Sequence, residues 1–440
     1  GGNIGGLVGY TQYLTLTNSY FAGRATDTGA ADSERGVIGN DWGGGSSANT
    51  FFDSDVCASA SGNCASSVLA EQRGVSTALA KTVATYLRTG GWNFKTIWTT
   101  PGQVYSGQYP VLLWESGQSA LSITLGGGNG SVGTPYLLSA PAHINALFND
   151  SDLWTGGYNF ELTGNIDMSG AEVSPIGMSG KAFNGDFNGG GFTISNFNIS
   201  GTADDSQMGL FGNIADTGTV RNLAVSGVKV TGNQTLGAIA GYSTGKIQRV
   251  AVKGITLIDG LTNSGYVGGV LGHLYKPGRI EESYSVSSVT IRSAGGYYNG
   301  GIVGYAQGVS GAGNSVTIAN NYSHASITGT GGNFGGISGY TVYAVTKYNY
   351  FAGIANDTVN TDSERGVMGG DGGGGTITDN YFDSDVCASA SGYCASAGIT
   401  GVTGMSTTNI QNKSNFSAGW DFSTIWLEPG GAYMTLRNAP

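Results

Sequence analysis

Gly237-Ala-Ile-Ala-Gly241-Tyr242, Gly268-Gly-Val-Leu-Gly272-His273, Gly300-Gly-Ile-Val-Gly304-Tyr305 and Gly335-Gly-Ile-Ser-Gly339-Tyr340 are one phrase written four times, and Gly209-Leu-Phe-Gly212 is a shorter first copy. Counted on the glycine just before the small apolar pair, the steps are 28, 32, 32 and 35 residues. A period of that size marks a repeat architecture. Each phrase is followed by a short alternating segment, such as Thr219-Val-Arg-Asn-Leu-Ala-Val-Ser226 or Arg279-Ile-Glu-Glu-Ser-Tyr-Ser-Val286. Alternation at period two reads as strand. A strand and a glycine turn cannot bury an apolar face alone, so successive copies must stack. The predicted fold class is all-β: a parallel β-helix (β-solenoid) built of coils about 30 residues long, with short capping helices and hairpins.

Composition agrees. Of 440 residues 79 are Gly, 8 are Pro, and only 11% are charged. Glycine at this level without a strict three-residue period excludes collagen, and the interleaved aromatic and β-branched residues give the chain a core to bury. The net charge is −10 and the 19 basic residues are spread thinly, which argues against nucleic acid as a partner. No apolar run approaches the roughly 18 residues that a membrane span requires. The chain opens on Gly1-Gly-Asn-Ile-Gly-Gly6, the middle of a phrase, so we expect a stretch of a longer protein whose targeting signals lie outside it.

A longer period encloses the short one. Residues 1–66 align without gaps on 331–396, with 41 of 66 pairs identical. Asp32-Ser-Glu-Arg-Gly-Val37 returns as Asp362-Ser-Glu-Arg-Gly-Val367, and Phe52-Asp-Ser-Asp-Val-Cys57 returns as Phe382-Asp-Ser-Asp-Val-Cys387. Trp92-Asn-Phe-Lys-Thr-Ile-Trp98 returns more loosely as Trp420-Asp-Phe-Ser-Thr-Ile-Trp426. Residues 1–117 therefore read as the C-terminal part of one unit, 118–133 as a Gly/Ser linker, and 134–206 as the opening, capping region of the next. Residues 207–380 read as its solenoid repeats, and 381–440 as a closing region with a cysteine staple. The glycines of Gly126-Gly-Gly-Asn-Gly-Ser131 would alternatively form one more solenoid turn.

Short helices are expected over Ser76–Arg88, over Pro141–Phe148 with Ser139 near its cap, and more weakly over Ser406–Phe416. Val111-Leu-Leu-Trp114 reads as a terminal strand, Tyr158–Met168 as one alternating strand, and Phe183–Phe197 as a turn between strands.

The succession Pro135-Tyr-Leu137, short helix, Leu162-Thr-Gly-Asn-Ile-Asp-Met-Ser-Gly170, Ser174-Pro-Ile-Gly177 and Phe183-Asn-Gly-Asp-Phe-Asn-Gly-Gly-Gly-Phe-Thr-Ile-Ser-Asn196 resembles the opening of bacterial GLUG-motif surface proteins. The Gly-Gly-Ile-Val-Gly ladder resembles the GLUG repeats themselves. Asn380-Tyr-Phe-Asp-Ser-Asp385 and Gly419-Trp-Asp-Phe-Ser-Thr-Ile-Trp426 resemble the segment that closes such arrays. The resemblance covers nearly the whole chain and implies a parallel β-helix domain of large secreted adhesins, also found beside some secreted peptidases. The cysteine pairs and the 330-residue duplication depart from that pattern.

Candidate sites are few. Cys57/Cys64 and Cys387/Cys394 are equivalent pairs, each separated by six residues that are mostly small, and read as local disulfides worth roughly 2–2.5 kcal/mol apiece. Free thiols or a metal site are the alternatives. Asp53, Asp55, Asp383 and Asp385 would serve either as Ca²⁺ ligands or as ordinary turn residues. The Asp-Ser-Glu-Arg blocks read as exposed loops with a local ion pair, or as partner-binding loops. Tyr10, Tyr242, Tyr305 and Tyr340 fall at one position of the phrase and should stack into an aromatic ladder, with sugar binding as a second use.

No His-Glu-x-x-His, Gly-x-Ser-x-Gly or Walker motif occurs, and His143, His273 and His324 are isolated in sequence. We therefore expect no enzyme and no cofactor. The expected role is a non-catalytic structural repeat segment of an extracellular bacterial surface adhesin, stalk or filament. Its expected partners are neighbouring tandem units, other copies in a filament, and surface glycans or host receptors. A receptor- or glycan-binding adhesin module and a polysaccharide-active β-helix enzyme are the alternatives; the latter needs carboxylates gathered in one groove.

Overall fold

The structure, a computed structural model, describes residues 3–25, 34–58, 72–87, 92–94, 96–101, 107–116, 125–178, 180–201, 206–311, 313–330, 332–358, 364–387 and 399–440. The chain divides into two compact units, Gly1–Ile123 and Thr124–Pro440.

The second unit is a parallel β-solenoid. One 25-stranded sheet and one six-stranded sheet wind through it. The six-stranded sheet is the glycine phrase itself: Phe211, Ala240, Leu271, Val303, Ser338 and Met368 succeed one another in parallel register. On a second wall Val220, Ile247, Ile280 and Ile318 align, and on a third Val230, Ile258, Ile291, Ile327 and Ala355. These side chains are buried and form one core. A Val or Ile fully withdrawn from water contributes about 1.5–3 kcal/mol, so columns of them hold each coil on the last.

Glycine is required where two walls meet. A Cβ on Gly304 would stand 2.6 Å from the backbone nitrogen of Val267 and 2.7 Å from the carbonyl oxygen of Gly272, and on Gly272 it would meet Leu236 and Gly241 in the same way. Each glycine of the ladder thus lies against the backbone of the preceding coil, closer than any side chain permits.

A second corner has no signature in the glycine pattern. Asn222, Arg249, Glu282, Asn320, Tyr348 and Asp379 adopt left-handed backbone with φ between 51° and 58°. They stack in register, and the next residues in the later coils form a buried ladder. Asn321 accepts from the amide of Ser283, Asn349 from that of Asn321 and Asn380 from that of Asn349, at 2.9, 2.9 and 3.2 Å. Left-handed backbone is costly for ordinary residues. Here the asparagine side chains occupy the backbone groups that each bend frees from the sheet.

The first unit repeats the plan. Ile4–Gly5, Val8–Thr11, Thr15–Thr17 and Tyr20–Phe21 pair in parallel with Glu34–Arg35, Ile38–Asp41, Ser46–Ala48 and Thr50–Asp53. Its left-handed corners are Asn18 and Asn49, joined side chain to side chain at 3.1 Å.

Several expectations change. The Phe183–Phe197 stretch is a turn between strands as expected, but Asp186–Asn188 and Thr193–Ser200 each pair in parallel with neighbouring coils, so the capping region already carries solenoid turns. The Tyr158–Met168 strand breaks into Asn159–Leu162 and Ile166–Glu172 at another corner. The closing regions carry antiparallel strand pairs, Trp98–Thr99 with Val111–Leu112 and Trp426–Leu427 with Thr435–Leu436. After Leu112 the chain turns helical (Leu113–Ser116) rather than extending the strand to Trp114.

Pro141–Asn149 forms the capping helix, burying Ile144, Leu147 and Phe148, with Ala140 rather than Ser139 at its N-cap. Ser76 caps a helix that splits into Thr77–Ala80 and Val83–Leu87, and the weaker counterpart is Thr407–Ile410 followed by a 3₁₀ turn at Lys413–Asn415. Residues 125–133, assigned by composition to a linker, are folded into the second unit. Gly126 donates to Leu137, Leu137 to Gly127 and Asn159 to Gly130. Glu34–Arg35 and Glu364–Arg365 are strand rungs rather than loops, while Asp32, Ser33, Asp362 and Ser363 lie outside the described residues. Among the described residues no helix is long and apolar enough to cross a membrane.

Candidate functional site

Two aromatic faces organise the second unit's surface. The first grows from the phrase. Tyr242, His273, Tyr305 and Tyr340 are register partners on successive rungs. Their rings approach at 5.0, 4.9 and 6.0 Å. A second column, Tyr266 and Tyr298, stacks at 5.4 Å and continues onto Tyr340 at 4.7 Å. Tyr275 and Tyr297 flank the columns. Along the first column the rings meet at mixed angles, 89° between Tyr242 and His273, 22° between His273 and Tyr305 and 54° between Tyr305 and Tyr340.

Burial, and then neighbouring tyrosines, push the Tyr305 hydroxyl up to about 12 and raise those of Tyr266 and Tyr298. Burial lowers the His273 imidazole to about 4, against a weaker opposing bond to Gln307. At neutral pH the face is uncharged. Sequence reading found Tyr242, Tyr305 and Tyr340 but missed Tyr266 and Tyr298, whose signal is a tyrosine two residues ahead of each Gly-Gly pair. Tyr10 does not join a ladder: its register partner is Asn40 and it is half-exposed.

The second face is a buried ladder. Tyr284, Tyr322, Tyr350 and Tyr381 succeed one another on the outer side of the asparagine corner. The first three stack at 4.8 and 5.3 Å with interplanar angles of 10° and 9°. The closing region folds back over them: Phe416, Trp420, Trp426, Met434 and Leu436 share their cluster. Trp420 Nε1 donates to the carbonyl of Asp379, Trp426 Nε1 to Asn320 Oδ1, and Tyr350 to the carbonyl of Met434. The first unit has the matching cluster of Tyr20, Phe51, Tyr86, Trp92, Phe94, Trp98 and Tyr109.

The aspartates weighed as calcium ligands pin this closing region. Asp383 is fully buried; its Oδ1 accepts from the amides of Asp385 and Val386 and from Thr407 Oγ1, and its Oδ2 accepts from Tyr433 at 2.6 Å. Asp385 Oδ2 accepts from the Thr407 amide. Asp53 and Asp55 make the same contacts with Asp55, Val56, Thr77 and Tyr109. Both oxygens of each buried carboxylate are thus taken by donors, which leaves no open face for a cation. Among the described residues no group of three or more His, Cys, Asp or Glu is placed to hold a metal.

Cys57 and Cys387 are buried. Cys64 and Cys394 lie outside the described residues.

A cleft of about 510 Å³ in the first unit is lined by Tyr20, Phe21, Trp98, Pro110, Leu112 and Glu115 among others. The equivalent of Tyr20 is Tyr350, which in the second unit is covered by Tyr322 and His324 of the preceding coil.

No known protein family matches the chain. A stretch of 158 residues is 32% identical to halomucin of Haloquadratum walsbyi, covering 33% of this chain and 2% of that protein. A stretch of 151 residues is 36% identical to a "Putative Gly-rich membrane protein" of Evansella cellulosilytica, covering 32% of this chain and 17% of the relative. The chain matches only a small part of either relative's length. Among solved structures, a "putative immunoglobulin A1 protease" from Bacteroides ovatus superposes with a TM-score of 0.51 at 22% identity, over 74% of this chain and 98% of that one. At that identity the likeness speaks for the fold alone.

Proposed function

We propose that this chain is a non-catalytic structural repeat segment of an extracellular surface protein, an adhesin, stalk or filament of the GLUG-repeat kind. The observation that carries the reading is the duplicated latch. Two solenoid units each end in a segment folded back over an aromatic ladder and pinned to a buried aspartate at the same 2.6 Å. Parallel coils with filled interiors suit a load-bearing element, because backbone bonds and core must yield coil by coil. Halomucin and the Gly-rich membrane protein, by their names, support a surface setting. The Cys57–Cys64 and Cys387–Cys394 pairings belong to this reading as staples suited to an oxidising exterior.

Partners follow as neighbouring units of the same protein and other copies in a filament. Single-molecule pulling of the chain tests it: two rupture events of similar force, one per unit, are expected, and a chain that extends without resistance overturns the reading.

The uncharged Tyr242–Tyr340 face favours a second reading, a module that binds surface glycans or a host receptor. Its part-exposed rings recur once per rung, with His273 in place of a tyrosine on one of them, and a glycan laid along the axis would meet a polar aromatic edge at each step. A glycan array decides it, with loss of binding in Tyr298→Ala as the expected signature. Release of reducing ends from an acidic polysaccharide would instead establish an enzyme.

A further inference from the structure

We infer that the closing segment of the second unit is an acid-released latch, opened by the imidazole of His324, which lies part-buried between the tyrosine ladder and that segment. The geometry is specific. His324 Nε2 stands 3.0 Å from the hydroxyl of Tyr350. That hydroxyl already donates to the carbonyl of Met434 in the closing segment. Having one hydrogen, it must accept from the imidazole, so His324 carries a proton on Nε2, and acid would add a second at Nδ1. The other face of the pocket is Tyr433, also of the closing segment, with ring centroids 5.0 Å apart.

The groups facing the ring are Tyr322 from its own coil, Tyr350 from the next and Tyr433 from the segment. All three are phenols held protonated by burial. The nearest carboxylate along this network, Asp383, is engaged by the Tyr433 hydroxyl. Among the described residues nothing facing His324 balances a second proton, and burial alone pushes its pKa down from 6.5 to about 4. Opening the segment admits water and restores the ordinary value. The open form then binds the proton more readily, so acid favours opening as pH falls through 6.5, and the gain is complete only below 4. The open-to-closed ratio rises about 80-fold between pH 6.5 and 4 and about 300-fold in all. Release uncovers the Tyr322, Tyr350 and Tyr381 ladder.

The first unit supplies the control. It has the same Tyr109–Asp53 pin and the same tryptophans, but the chain's three histidines, His143, His273 and His324, all lie in the second unit. Hydrogen exchange of the whole chain at pH 7, 5.5 and 4, corrected for intrinsic rates, tests the latch. Residues 420–436 should lose protection as pH falls while residues 92–101 do not, and His324→Gln should remove that difference. Equal responses of the two segments overturn the inference, as does an unchanged profile in His324→Gln. Should that variant fail to fold, the comparison of the two segments in the unaltered chain decides alone.

Discussion

Tyr433 donates to Oδ2 of Asp383 across 2.6 Å, joining two residues 50 positions apart and holding the closing segment on the solenoid. The same carboxylate caps the chain at Asp385 and Val386 and receives Thr407. Removing it strands four donors. Asp383→Ala should cost the second unit about 3–5 kcal/mol, and Tyr433→Phe about 1.5–3 kcal/mol. Urea unfolding followed by tryptophan fluorescence measures both, and a loss below about 1 kcal/mol in Asp383→Ala rejects the pin.

Gly304 offers a test of the corner. Its Cβ would fall 2.6 Å from the backbone nitrogen of Val267, which cannot move without disturbing the coil below. Gly304→Ala is expected to destabilise by about 1–3 kcal/mol or more. Gly164, with nothing within 4 Å of an added Cβ, is the matched control. Gly164→Ala should be neutral or slightly stabilising; similar losses in both variants would mean that close approach is not what selects glycine.

Asn349 bonds to both neighbouring coils: its Oδ1 accepts from the Asn321 amide, and its Nδ2 donates to the Ile318 carbonyl and to Asn380. Asn349→Leu takes these partners from the Asn321 amide and the Ile318 carbonyl, at about 1–3 kcal/mol each, while Asn380 keeps the Asn349 backbone amide. A double-mutant cycle with Asn380→Ala should show coupling of at least about 0.5 kcal/mol. Strict additivity would contradict the ladder.

His273 occupies a rung whose neighbours are Tyr242 and Tyr305, and its Nε2 has no hydrogen-bond partner. Its folded pKa of about 4 lies below the ordinary 6.5, so the folded state is disfavoured as pH falls from 6.5 towards 4, by up to about 3 kcal/mol. His273→Tyr should raise the midpoint of thermal unfolding at pH 4.5 more than at pH 7.5. An equal shift at both values would remove the imidazole as the cause.

The proposed staples predict a further effect. Reduction should lower the stability of each unit by roughly 2–2.5 kcal/mol. Peptide mapping without reductant should recover Cys57 linked to Cys64 and Cys387 linked to Cys394, and cross-unit pairs would defeat the local assignment.

The spacing of Gly212, Gly241, Gly272, Gly304 and Gly339 determined by itself that the chain is a parallel stack, because in a solenoid each coil must reproduce the contacts of the last. The offset between Asp53 and Asp383 likewise determined that the stack is built twice. Periodicity reports on contacts between equivalent positions and on nothing else. It could not show that Asp383 holds Tyr433 rather than calcium, that Tyr10 lies apart from the other tyrosines, or that Gly126–Gly130 belong to the second unit's first turns. Nor could it bring Tyr284 to the carbonyl of Pro440, 156 residues away. Those relationships depend on where the closing segment returns across the coils. That path is set by which face remained apolar once stacking was complete, and only the tertiary structure contains it.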